Sequence, residues 1–142
     1  MTGGAVEIAR RFVGAIAWGE HRTVWELLSG EGRSAVLRVA TRRGMDESLS
    51  ARLRDAQATR TEEETFLTDL LNGLRADLAG TDLDALEFDV EPGPAEPDRE
   101  RITLIAPVAA AIGVPGLPVG TIELAQCDDG WLVDRLLPRV TR

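Results

Sequence analysis

One imidazole is present in the chain, that of His21, so a neutral-pH general base of the usual kind would be this residue, oriented by Glu20 or Asp134. The competing reading is a solvated polar side chain in a turn between two helices, and it is preferred because the sequence offers His21 no evident partner. Asp128, Asp129 and Asp134 could be taken for metal ligands. Two of them flank a hairpin turn, where aspartate is favoured by bonds to nearby backbone N–H groups, so no metal set is read here. The single cysteine, Cys127, ends an apolar segment beside two acids, which is not the electropositive setting of a reactive thiolate, and it reads as packing.

The absences are equally informative. All 16 basic residues are arginine, and tyrosine is missing. Schiff-base chemistry and a phosphate-loop lysine are thereby excluded, as is a phenol serving as acid or oxyanion donor. No cofactor is expected. From Arg33 to Arg60 seven arginines face three acids (Asp46, Glu47 and Asp55), a surplus of four in an acidic chain. Arg38, Arg42 and Arg43 are the candidates there for docking an anion or acidic partner, against the plainer reading of a solvated helix face paired with Glu62, Glu63 and Glu64.

A length of 142 residues is that of one domain, residues 1–142, able to bury roughly two-thirds of its unfolded surface. The net charge of −8 disfavours nucleic acid and anionic membrane surfaces as partners. The longest apolar run, Leu104 to Val119, is broken by Pro107, Gly113, Pro115, Gly116 and Pro118 and is too short to span a membrane. With no signal-peptide pattern at the N-terminus and one cysteine, a cytoplasmic location is expected.

These residues must be held by recognisable elements. Ala5, Ile8, Phe12, Ala15 and Ile16 recur at helical steps up to Trp18, and Gly19 is placed to stop that helix. Thr23 and Glu26 have capping-box spacing before a short helix bearing Val24, Leu27 and Leu28. Ser29-Gly30-Glu31-Gly32 reads as a break. Arg33 to Arg43 reads as a helix with Val36, Leu37, Val39 and Ala40 inward and Gly44 at its end, and Asp46 caps a further piece with Leu49 and Leu53. Thr61 and Glu64 repeat the capping-box spacing ahead of a continuous helix over residues 61–79, with Phe66, Leu70, Leu71 and Leu74 turned toward a sheet.

Beyond it the period changes to two. Leu86, Phe88 and Val90 alternate with Glu87, Asp89 and Glu91, as in a strand with one buried face. Arg101 to Ala106 is a second strand. Thr121 to Cys127 and Trp131 to Leu136 form a hairpin about Asp128-Asp129-Gly130, where glycine can take positive φ. The stretch from Pro107 to Pro118 reads as the extension of a long hairpin. Trp25 and Trp131 lie in apolar patterns as core, and Trp18 is expected to be half exposed.

Gly130-Trp131-Leu132-Val133-Asp134-Arg135, with Phe12 to Glu20 and Val24-Trp25-Glu26-Leu27-Leu28-Ser29, resembles the NTF2-like superfamily, which includes ketosteroid isomerases and SnoaL-type polyketide cyclases. The likeness covers residues 5–32 and 84–137. It implies an α+β fold, with N-terminal helices packed on a curved antiparallel C-terminal sheet as a cone. Residues 33–80 depart from the pattern, because the family's early hairpin is replaced by helix. The family's isomerase site needs a phenol that this chain lacks. The reading is therefore a non-catalytic binding or interaction module that forms a homodimer through its sheet. Ile105, Val108, Ile112, Val114, Leu117 and Val119 are the candidate ligand or interface residues, because one small core cannot take them all. The alternative is a pocket enzyme of the isomerase or cyclase kind acting on an apolar small molecule. The partners expected are thus a second copy and an apolar small molecule or protein.

Overall fold

A computed structural model describes residues 4–78, 81–91, 98–107, 113, 116–128 and 130–138. Five helices pack on a curved four-stranded antiparallel sheet, an α+β fold. The helices are α1 (Ala5–Trp18), α2 (His21–Leu27), α3 (Gly30–Arg42), α4 (Glu47–Arg54) and α5 (Arg60–Asp77). A 3₁₀ turn, Leu83–Ala85, leads into β1 (Glu87–Val90), β2 (Arg99–Ala106), β3 (Leu117–Cys127) and β4 (Gly130–Pro138), which lie side by side in chain order.

The apolar stripe of α1 lies on all four strands. Phe12, Val13 and Ile16 are buried there against Ile102, Leu104, Ile122, Leu124 and Val133, the inward residues of β2, β3 and β4. Gly19 ends α1 with φ 77°, a left-handed conformation that suits glycine. A second apolar cluster joins Leu37, Leu53, Phe66 and Leu67 of α3, α4 and α5, with the Trp25 ring edge-on to Phe66 at 5.4 Å between centroids.

Several boundaries differ from the sequence reading. The break after α2 is confined to Leu28 and Ser29, because the Ser29 side chain accepts from Gly32 N and Gly30-Glu31-Gly32 already forms the first turn of α3. Thr23 and Glu26 lie inside α2, which begins at His21, so they form no capping box. The real box is Thr59 with Glu62, two residues before the expected pair. Thr59 and Thr61 share the same spacing to an acid, and the earlier start frees Glu64 for another partner. Helix α5 ends at Asp77 and packs on α1 and α2 rather than chiefly on the sheet. Its Leu70 and Leu74 are half-buried, while Phe66, Leu67 and Leu71 are buried. Val39, expected inward, is exposed, and so is Cys127, expected to pack. Trp18 is largely exposed, beyond the half expected.

The β2–β3 ladder runs from Arg99↔Ala125 to Ala106↔Leu117, and the expected extension of the hairpin through Pro107 to Pro118 falls mostly outside the described residues. Two irregularities bend the sheet. Val119 is the extra residue opposite Leu104/Ile105, and Asp134 is the extra residue opposite Glu123/Leu124. Gly130 pairs with Cys127 at the mouth of the last turn, with φ 109°.

Candidate functional site

Three places gather polar or exposed apolar groups. The first is where α3 meets β4. Ser29 N donates to Val133 O at 2.8 Å, and Ser29 Oγ donates to Asp134 Oδ1 at 2.5 Å while accepting from Gly32 N at 2.9 Å. Arg99 Nη1 approaches Asp134 Oδ2 at 3.4 Å. The bulge makes this possible, since an extra residue in β4 lets Val133 and the adjacent Asp134 both be buried. Asp134 does not orient His21. It belongs to a helix-to-sheet clasp in which its oxygens are already engaged.

The second place lies between α2 and α5. His21 Nε2 is 2.5 Å from Glu64 Oε1, Arg22 Nη2 donates to Glu64 Oε2 at 2.7 Å, and Arg22 Nη1 pairs with Glu63. His21 thus has a partner that sequence did not reveal, 43 positions away, and the partner is neither Glu20 nor Asp134. The bond to His21, above all, holds the Glu64 carboxyl below its ordinary range. Glu62 is likewise lowered, first by the Thr59 backbone N–H and then by Arg52. A histidine bonded to a carboxylate that also accepts from an arginine is a surface ion-pair network. Among the described residues no group of three His, Cys, Asp or Glu could hold a metal ion.

The third place is the sheet face away from α1. Direct opposition in the ladders puts Arg101, Glu123 and Arg135 in one row, and Glu91 joins it through Arg101. Arg101 Nε is 3.2 Å from Glu91 Oε2 and 3.5 Å from Glu123 Oε2, and Arg135 Nε is 3.8 Å from Glu123 Oε1. Beside this row Thr103, Thr121 and Leu137 stand opposite one another. With Arg101, Pro118 and Pro138 they line an open groove of about 420 Å³. Leu137 is 40% exposed on this face, whereas Leu117, 59% exposed, pairs with Ala106 and so belongs to the α1 side at the end of the sheet.

Of the expected interface residues, Ile105 is partly exposed opposite Pro118, Leu117 is exposed, and Val119 is half-buried against the main core. Val108, Ile112 and Val114 lie outside the described residues. Arg38, Arg42 and Arg43 are exposed at the end of α3. Two residues were missed as a pair, Ser29 and Asp134. Serine before Gly-Glu-Gly was the available signal, as a helix cap. No helix of the described residues is long and apolar enough to cross a membrane.

No family model matches the chain, and neither a curated protein nor a solved structure does.

Proposed function

We propose that this chain is a non-catalytic interaction module of NTF2-like type, working in the cytoplasm as a homodimer joined through the outer face of its sheet. The observation that carries the reading is the uncovered face itself. Helix α1 packs on one side, and the other presents Ile105 and Leu137 beside a row of alternating charge. Across the strands that row runs Glu91, Arg101, Glu123, Arg135. A two-fold axis parallel to the strands and passing between β2 and β3 reverses the row. Glu91 then meets Arg135 of the partner subunit, and Arg101 meets Glu123 of the partner subunit. The charged row is thereby complementary to its own copy.

Among the described residues, the one histidine and the acid expected to orient it are engaged elsewhere, which favours binding over catalysis. His21 is committed to Glu64, and Asp134 to Ser29. The outer groove is open and flanked by ion pairs, a shape suited to contact between surfaces.

Light scattering across a concentration series tests the proposal. The wild type is expected as a dimer, and Leu137→Asp as a folded monomer. Arg101→Glu alone weakens association, whereas Arg101→Glu combined with Glu123→Arg restores it, since the row is again its own complement. A monomeric wild type at high concentration, or a dimer indifferent to Leu137→Asp, overturns it.

A further inference from the structure

Six of the seven arginines of residues 33–60 divide into two groups, and the seventh, Arg60, is exposed at the start of α5. Arg33 Nε donates to Trp25 O at 3.1 Å and its guanidinium covers the Trp25 ring at 5.1 Å. Arg52 donates to Glu62 Oε2 at 2.6 Å, and Arg54 lies 3.4 Å from Asp55. These three have structural partners. Arg38, Arg42 and Arg43 have none among the described residues and are exposed.

Their placement is costly for the chain by itself. Arg38 and Arg42 are four residues apart on α3, one turn of like charge, which disfavours a helix slightly. The helix dipole accounts for a cation at Arg42 in the last turn, but it fades within that turn and does not account for Arg38. The nearest acid after them in the chain, Asp46, is engaged as the cap of α4, accepting from Leu49 N at 3.3 Å. Val39 stands between Arg38 and Arg42 in the sequence and is 44% exposed, a large aliphatic group left in water.

From this we infer that the C-terminal turn of α3 docks a short acidic peptide segment of another protein, its carboxylates received by Arg38, Arg42 and Arg43 and one apolar side chain resting on Val39. Guanidinium forks match carboxylates two bonds at a time, and the chain has arginine here with no lysine. A short segment fits better than nucleic acid. A polyphosphate strand would leave three arginines at once and run over a molecule whose net charge is −8. The surface is separate from the sheet face, so the inference stands apart from the proposed pairing.

The test is fluorescence anisotropy with a labelled peptide carrying a run of Asp and Glu around one Leu. Its amide counterpart, with Asn and Gln for the acids, serves as control, and an oligothymidylate of similar length as rival. The acidic peptide is expected to bind, to weaken with added salt, and to weaken roughly tenfold or more on the triple change Arg38→Gln, Arg42→Gln, Arg43→Gln. Glutamine keeps the helix propensity of arginine, and an unchanged thermal melt shows that the variant is folded. Equal binding of the amide peptide, no binding of the acidic one, or binding indifferent to the triple change overturns the inference. Tighter binding of the oligothymidylate gives the patch to polyphosphate. A change of self-association in the triple variant without peptide gives it to a second copy, and either result overturns the acidic-segment reading.

Discussion

Two junctions tie distant parts of this chain together, and each sets a carboxyl group against a small polar partner at the same 2.5 Å. Ser29 and Asp134, which join α3 to β4, are 4% and 7% exposed. His21 and Glu64, which join α2 to α5, have side chains 23% and 47% exposed. Distance alone would rank them equal. Burial separates them, because a polar group shut away from water loses its whole hydration when its partner is removed, whereas an exposed one turns to solvent. The first junction is therefore structural and the second is close to ornamental for stability, even though the second holds the only histidine.

The largest effect is expected from Ser29→Ala. It removes the cap of α3 and leaves Asp134 without its hydroxyl donor, so the two losses together come to about 2–4 kcal/mol, read from urea unfolding. Gly32→Ala follows. A Cβ at Gly32 would lie 2.6 Å from Val133 O and 3.0 Å from Asp134 O, both backbone atoms, so α3 must move off the strand, at about 1–3 kcal/mol. Asp134→Asn keeps an oxygen for Ser29 and gives up charge toward Arg99, and about 1 kcal/mol is expected. A Ser29→Ala variant as stable as wild type would erase the distinction between the two junctions.

The legible parts of the fold were those set by local sequence. The stripe of α1, its stop at Gly19 and the Asp46 cap are each written in neighbouring residues, whereas the alternation expected of β1 holds only in part, since Leu86 is buried and Val90 is exposed. The Ser29 cap was also local, but the two glycines after it were read as a break. Both lie in the first turn of α3, where the helix needs a cap more than propensity, and Gly32 is required because the β4 backbone passes so close. Neither junction was legible as a contact. Ser29 and Asp134 are 105 positions apart, and the bulge that carries Asp134 inward leaves no local mark in Leu132-Val133-Asp134-Arg135. The His21 contact depended on the choice between two overlapping capping boxes, since a box at Thr61 would have occupied Glu64.

The exposed junction yields the smaller predictions. His21→Ala is expected to leave the fold intact and to move the melting temperature far less than Ser29→Ala, because Glu64 regains water and keeps Arg22. A melt lowered as much as by Ser29→Ala would show that α5 depends on this contact.

The smallest effect, a pH dependence, separates the junctions by mechanism. In the fold Glu64 is held below its ordinary 4.5, chiefly by its bond to His21. A depressed carboxyl contributes stability that is complete above the unfolded-state value and is lost as pH falls through the lower, folded-state value. The stability difference between wild type and His21→Ala should therefore hold steady just above 4.5 and close as acid is added below it. Glu62 is depressed too, through Thr59 and Arg52, but that contribution remains in both proteins and cancels. Added salt should shrink the difference, since the pair is exposed and screened, while the deficit of Ser29→Ala should resist salt because its groups are buried. Melts in a buffer series at two salt concentrations read both trends. A difference that persists unchanged after every carboxyl has been protonated would mean that His21 acts on stability through something other than Glu64.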